Sequence, residues 1–121
     1  MAIHWKAEAC DLAPDPQSGA AICRLTASAL HNINIYFEQP HTTPDGKRIG
    51  YLRAVHADPR QPPTELCVAD LERLRIASID TDIANSWIAT SPWSGQLFYL
   101  RRNGELIRVD LATLEKRIVL T

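Results

Sequence analysis

The sequence lacks the features typical of membrane, secreted or nucleic-acid-binding proteins. Its longest apolar runs, such as GAAIC at 19–23, are far too short to span a bilayer. Its first fifteen residues contain no basic stretch followed by an apolar one, so no signal peptide is expected. Thirteen Lys and Arg against fourteen Asp and Glu give a net charge of −1, without the basic surplus that nucleic-acid binders show. We therefore expect a cytoplasmic protein with no membrane or nucleic-acid partner.

Cysteine is scarce and shows no pairing pattern. The three cysteines, Cys10, Cys23 and Cys67, are odd in number and form no CxxC motif. Without a secretory signal, this arrangement indicates reduced thiols. Cys23 and Cys67 fall within apolar strand patterns, so we expect both to be buried as small hydrophobic side chains.

The chain does contain an internal repeat. TTPDGKRIGYLR at 42–53 returns as TSPWSGQLFYLR at 90–101, an offset of 48 residues. ELCVADLERL at 65–74 returns as ELIRVDLATL at 105–114, an offset of 40. The difference of eight residues is one connection, AVHADPRQPPT at 54–64 against RNG in the second copy. The repeat therefore keeps its strands and varies a loop.

A period of about 40 to 50 residues with four short strands per unit is typical of a β-propeller blade. No useful length of helical periodicity is present, and the glycines of PDG and WSG suit tight hairpin turns. We predict an all-β fold: a β-propeller fragment in one domain over 1–121, with four-stranded blades at 33–80 and 84–121. The predicted strands lie near 20–26, 33–39, 47–54, 64–70, 74–79, 85–91, 95–102, 104–110 and 115–121.

One further strand, GAAICRLT at 19–26, precedes the first blade and ends in RLT much as the second blade ends in VLT. In closed propellers such a strand completes the last blade and removes an open edge. Two blades are too few for a ring of about four to eight, so we expect the N-terminal part of a longer propeller. An uncovered blade face favours self-association, with the strand at 19–26 pairing with another copy.

Four segments together resemble the N-terminal blades of the oligogalacturonate lyase family: DPQSGAAICRLT, IYFEQPHTTPDGKRIGYLR, ELCVADLE and LIRVDLATLEKRIV. Members of this family are seven-bladed propellers whose opening follows D-x-x-[ST]-G-x-x-x-x-R-L-T. The resemblance extends from about Asp15 to Thr121. Family members often carry several histidines just before YF, whereas this chain has only His31 there.

The resemblance implies a cytoplasmic enzyme of pectin catabolism that splits short unsaturated oligogalacturonides by β-elimination, with a divalent metal, often manganese. In the family the catalytic base and the histidine-rich metal site come from later blades. The resemblance therefore places no catalytic and no metal-binding residue on this chain, which is expected to lack lyase activity alone. A non-catalytic propeller that serves as a binding or interaction scaffold stays open as the alternative, because fold does not fix function.

Three arginines are the predicted substrate-binding residues. Arg53, Arg101 and Arg102 end the second strands of the two blades, where the next connection faces the channel mouth that propellers use for ligands. A guanidinium binds carboxylates through paired hydrogen bonds, and an oligogalacturonide is rich in carboxylates. His31, in the loop that enters the first blade, is the fourth predicted substrate-binding residue. Ordinary solvated side chains at strand ends are the alternative for all four residues.

For the other polar and aromatic residues, we expect structural roles. The four histidines are scattered without metal-ligand spacing. Asp70 and Asp110 occupy equivalent repeat positions, which indicates that each caps the turn that follows. Trp87 and Trp93 are expected to pack within and between blades, with a sugar-stacking platform as the alternative.

Overall fold

The computed structural model describes residues 3–33, 35, 40–58, 61–84, 88–91 and 93–121. Every regular element in these ranges is a β-strand, and they contain no helix that is long and apolar enough to cross a membrane. The strands are β1 (Trp5–Lys6), β2 (Cys10–Leu12), β3 (Ile22–Arg24), β4 (Asn32–Ile33), β5 (Arg48–Ala54), β6 (Thr64–Asp70), β7 (Arg75–Ile83), β8 (Ala89–Thr90), β9 (Gln96–Leu100), β10 (Leu106–Asp110) and β11 (Lys116–Leu120).

Two antiparallel sheets form the two predicted blades. Blade one has the order β7-β6-β5-β4 with β1 added outside β7, and blade two has the order β11-β10-β9-β8. Consecutive strands are neighbours in both sheets, as in a propeller blade. The predicted all-β blade architecture is confirmed. Much of the predicted strands at 33–39 and 85–91, including Trp87, lies outside the described residues.

The turns confirm the predicted role of the two repeated aspartates. Oδ1 of Asp70 accepts hydrogen bonds from the backbone N–H groups of Glu72 and Arg73, at 3.1 and 3.0 Å. Oδ1 of Asp110 accepts the equivalent bonds from the N–H groups of Ala112 and Thr113, at 2.8 and 3.2 Å. Each carboxylate therefore holds the turn into the outermost strand of its blade.

The main core lies between the two blades. Strand alternation turns Gly50 and Leu52 of β5 toward blade two, whereas Tyr51 and Arg53 face the other way. A Cβ built on Gly50 would lie 2.8 Å from Cδ1 of Leu97, so glycine is what lets the two sheets approach. The buried residues of this core are Ile35, Leu52, Leu66, Val68, Ala77, Ile79, Ile83, Ile88, Leu97, Tyr99, Ile107, Val109 and Leu111.

Two long cations also join the blades. Nη1 of Arg48 donates to the carbonyl oxygens of Leu111 and Ala112, at 3.0 and 2.6 Å, and so reaches the turn of blade two. Nζ of Lys116 donates to the carbonyl oxygen of Ile79 in the opposite direction, at 2.8 Å. These bonds fix how one sheet lies on the other.

The N-terminal segment covers the opposite face of blade one. Leu25 packs against a smaller cluster on that face, which contains Tyr51 and Cys67. Of the predicted strand at 19–26, only Ile22–Arg24 form a strand, β3, and it pairs with β2 in a hairpin of the same chain. Its role in closing a ring stays a prediction. The strands β1 and β2 were not predicted from the sequence.

Two expectations about burial were wrong. Cys23 is exposed, because β3 belongs to a two-stranded hairpin that has no buried side at this point, whereas Cys67 is buried as expected. Trp93 is 88% exposed in the hairpin turn of blade two, so it does not pack within or between blades.

Candidate functional site

The four predicted substrate-binding residues lie at the same end of the two blades. Arg53 pairs with Asn32 near the end of β5, and the N–H of Ala54 donates to the carbonyl oxygen of His31 at 2.8 Å. Arg101 forms a β-bridge with Ile83, the last residue of β7, and Arg102 follows it. We call this end of the molecule the arginine end.

Arg53 is buried beneath the N-terminal segment. Its side chain is 9% exposed, and its Nη2 lies 3.3 Å from Oε2 of Glu8. Its Nε donates to Oδ1 of Asn32 at 3.2 Å, and Nη2 also approaches the hydroxyl of Tyr51 at 3.4 Å. Burial raises the pKa of the Glu8 carboxyl, but a hydrogen bond from the Ala27 N–H and the charge of Arg53 outweigh burial and hold that pKa below 4.5.

Arg101 occupies the equivalent position in blade two and is more open, with a side chain that is 35% exposed. Its Nε lies 3.3 Å from Oδ2 of Asp80, and its Nη1 donates to Oε2 of Glu105 at 3.3 Å. The hydroxyl of Tyr99 donates to the same Oδ2 of Asp80 at 2.8 Å. Burial and this hydrogen bond raise the pKa of the Tyr99 phenol, so the hydroxyl stays protonated and remains a donor.

The two sites are built from one repeated pattern, tyrosine and arginine two residues apart on the second strand of a blade. In both sites, one carboxylate partner of the arginine comes from the preceding part of the chain. For Arg101 it is Asp80, on the outermost strand of blade one, and for Arg53 it is Glu8, in the N-terminal segment. Glu8 and Asp80 were not predicted as site residues, because the repeat register gives no signal that relates them.

Arg102 and His31 lie nearer the surface. The side chain of Arg102 is 57% exposed, and its Nε pairs with Oδ1 of Asp82. His31 is exposed and contributes its carbonyl oxygen to the pairing with Ala54. Their role in substrate binding stays a prediction.

The arginine end can bind an anion without giving up its internal ion pairs. Each arginine already faces a carboxylate of this chain, so the end carries little net positive charge. A guanidinium has five N–H donors, however, and the ion pairs of Arg101 and Arg102 leave some of them open to solvent. An incoming carboxylate would meet these remaining donors at the partly exposed rim.

Metal binding finds no support in the described part of the chain. There, no group of three or more His, Cys, Asp or Glu side chains lies close enough together to hold a metal ion. The chemistry that the described residues can supply at the arginine end is therefore hydrogen bonding and charge.

Comparison with solved structures confirms the predicted resemblance and fold. An oligogalacturonate lyase in complex with manganese matches 98% of this chain at 26% identity, with a TM-score of 0.62. An oligogalacturonate lyase from Vibrio parahaemolyticus matches 98% at 20% identity, with a TM-score of 0.59, and supports the fold alone. The chain spans 30% and 29% of the length of these two structures. It matches no protein-family model and no curated protein.

Proposed function

We propose that this chain forms two blades of an oligogalacturonate lyase-like propeller and that its arginine end binds the carboxylates of an oligogalacturonide. The observation that carries this proposal is the match to a manganese-bound oligogalacturonate lyase over 98% of the chain at 26% identity. The N–H donors that Arg101 and Arg102 leave open to solvent at this end can form charge-assisted hydrogen bonds with such carboxylates.

In a β-elimination, a base removes the proton at C5 of a uronic acid, the C4–O bond breaks and a C4–C5 double bond forms. Negative charge builds on the neighbouring carboxylate during proton removal, so nearby cations lower the barrier. The part we assign to Arg101 and Arg102 is to hold and orient carboxylates of the oligosaccharide. The described residues do not fit a manganese site, so no step here involves the metal.

We also propose that the protein acts in pectin catabolism in the cytoplasm, which agrees with its three free cysteines. Because the chain spans 30% of the length of the similar lyase, we expect no turnover of unsaturated digalacturonate by this chain alone. Chromatographic detection of product would overturn that expectation.

Measuring the binding of digalacturonate tests the proposal more directly than measuring its turnover. Digalacturonate titrated into the 15N-labelled chain should shift the backbone amide signals of Ala54, Arg101 and Arg102, whereas the neutral digalactose should not. Arg102→Ala should weaken binding about threefold to tenfold by removing one exposed cation. Arg73→Ala, in the β6–β7 turn at the opposite end, is the matched control and should leave binding unchanged.

The scaffold alternative gives a different result. A non-catalytic interaction module would bind neither sugar at the arginine end, so identical spectra with and without digalacturonate would contradict the proposed function.

A further inference from the structure

The side of blade two that points away from blade one is not covered by any other described element. Leu97 and Tyr99 of β9 are buried against blade one, so Phe98 and Leu100 of the same strand point outward. Residues that pair directly across an antiparallel sheet share a side, which extends this surface to β10 and β11. We call it the outer face, and its residues are Phe98, Leu100, Leu106, Arg108, Arg117 and Leu120.

The outer face has an apolar row beside a cationic pair. Leu106 pairs with Leu100 on one side and with Leu120 on the other, and the latter two side chains are 42% and 65% exposed. Arg108 pairs with Arg117, and like charges placed directly opposite each other repel. Arg117 has one carboxylate partner, at 3.2 Å, whereas Arg108 forms no ion pair with a described residue. A carboxylate from a partner surface would relieve this repulsion.

The hairpin of β2 and β3, at the other end of the molecule, has the complementary features. Leu12 pairs with Ile22 near its tip, and these side chains are 46% and 40% exposed. Asp15 lies in the turn beyond them, and its Oδ2 accepts hydrogen bonds from the hydroxyl and the N–H of Ser18, at 2.6 and 2.8 Å. These bonds hold the pKa of the Asp15 carboxyl below 3.8, so it is ionised at neutral pH.

The charges of the two surfaces are opposite. Residues 7–23, which include the hairpin, contain three acidic side chains and no Lys or Arg. Residues 96–121 of blade two contain five Lys and Arg against three Asp and Glu. Two outer faces packed on each other would bring four arginines into one interface, whereas the hairpin brings carboxylates to them. The outer face is therefore better matched by the hairpin than by itself.

Within one chain, the hairpin cannot reach the outer face. Glu8, just before β2, meets Arg53 on the side of blade one that faces away from blade two. Leu25, just after β3, packs against the small cluster on that same side. Both blades therefore lie between the hairpin and the outer face, so contact between these two surfaces requires a second copy.

We propose that the outer face of blade two binds the β2–β3 hairpin of a second copy of this chain. The apolar pair of the hairpin lies on the leucine row, and Asp15 meets Arg108. Such a contact joins two different surfaces, so each copy keeps one free surface and association continues from head to tail. This contact does not depend on the proposed function of the arginine end.

Two variants of the full 121-residue chain test the proposal in combination. Leu12→Lys disables the hairpin, and Leu100→Lys disables the outer face. Both positions are exposed, so neither change disturbs the core. In sedimentation velocity, each variant alone should be monomeric at concentrations at which the parent chain associates. Their mixture should form a one-to-one dimer and nothing larger, because one intact hairpin and one intact outer face remain.

The charge contact is tested with a matched pair of variants in the hairpin. Asp15→Asn should raise the dissociation constant about threefold to tenfold, because it removes the carboxylate that meets Arg108. Asp11→Asn removes the same charge on the other side of the hairpin, since Asp11 alternates with Leu12 along β2. This control should associate as the parent chain does.

Three results would overturn the proposal. A Leu12→Lys chain that associates like the parent, while Leu100→Lys stays monomeric, indicates symmetric pairing of two outer faces. A parent chain that is monomeric at every concentration contradicts the contact altogether. Equal weakening by Asp15→Asn and Asp11→Asn contradicts the assignment of Asp15 to Arg108.

Discussion

Arg53 and Arg101 hold the same place in two repeats, yet their carboxylate partners come from different kinds of structure. Asp80 belongs to a full blade strand, whereas Glu8 lies in the segment between β1 and β2. The N-terminal segment therefore supplies a carboxylate partner to the arginine of blade one, as blade one does to the arginine of blade two. At the residue scale, Glu8 takes the place of a carboxylate from a preceding blade.

This role of Glu8 predicts a pH dependence. The pKa of Glu8 is lowered from 4.5 in the folded chain, so its contribution to stability is fully present above pH 4.5 and is lost as pH falls through the folded pKa. Glu8→Gln should cost about 1 kcal/mol of unfolding free energy at pH 7, and much less at an acidic pH at which the Glu8 carboxyl is protonated in the folded chain. Urea denaturation at both pH values measures this, with the exposed Glu72→Gln as the control. A cost that does not change with pH would contradict the assignment.

The cysteines give a second prediction at this scale. Burial, followed by the charge of Glu65, raises the pKa of the Cys67 thiol to about 12, and this side chain is 1% exposed. Cys10 and Cys23 are exposed. A thiol-reactive disulfide reagent at pH 8 should therefore modify Cys10 and Cys23 rapidly and Cys67 only in denaturant. Rapid reaction of Cys67 in the native chain would contradict its position between the sheet and the N-terminal segment.

Among the secondary-structure elements, the long strands could be predicted from the sequence and the shortest ones could not. The runs RIGYLRA and TELCVAD form the seven-residue strands β5 and β6, because alternating or continuous apolar residues identify strands of that length. The strands β1 and β2 have two and three residues, which is too short for the apolar–polar alternation of WKAEACDL to fix their bounds. Their positions depend on what they pair with, which the local sequence does not encode.

The residues of the candidate site were likewise predicted only in part. The repeat placed Arg53, Arg101 and Arg102 at strand ends, and the structure gathers them at one end of the molecule. Glu8 and Asp80 are long-range partners of these arginines, at sequence separations that only the folded chain brings together.

The contact between the blades at Gly50 predicts that a larger residue at this position destabilises the chain. The new Cβ of Gly50→Ala would meet Cδ1 of Leu97 at 2.8 Å in a side chain that is 1% exposed. We expect a loss of about 1 to 3 kcal/mol of unfolding free energy from overpacking. In the background of Leu97→Ala the same change should cost less, because the clashing methyl is gone. Additive costs in this double-mutant cycle, measured by urea denaturation, would show that the two strands do not touch.

At the scale of the whole molecule, the two blades differ in how they are covered. Leu52, Leu66 and Ile79 of blade one are 0%, 0% and 2% exposed beneath blade two. The repeat equivalents on blade two include Leu100 and Val119, which are 42% and 50% exposed. Blade two thus presents, uncovered within this chain, the face that blade one uses for packing.

We expect this outer face to drive self-association. Sedimentation velocity at micromolar concentrations should show a coefficient that rises with concentration, because apolar patches of this kind favour burial against another surface. Leu100→Lys should reduce the effect, whereas Val55→Lys, at a 38% exposed position in the long connection, should not. A single monomeric species at every concentration would contradict the expectation.

The chain forms two propeller blades stacked face to face, and a solved oligogalacturonate lyase matches this arrangement over 98% of the chain. The most direct measurement is a nuclear Overhauser spectrum of the chain with labelled leucine methyl groups. We predict a cross-peak between the Hα protons of Gly50 and the Cδ1 methyl of Leu97, since the second strands of the two blades touch there. A chain that shows the backbone cross-peaks within each sheet but none between Gly50 and Leu97 would contradict the stacked-blade account.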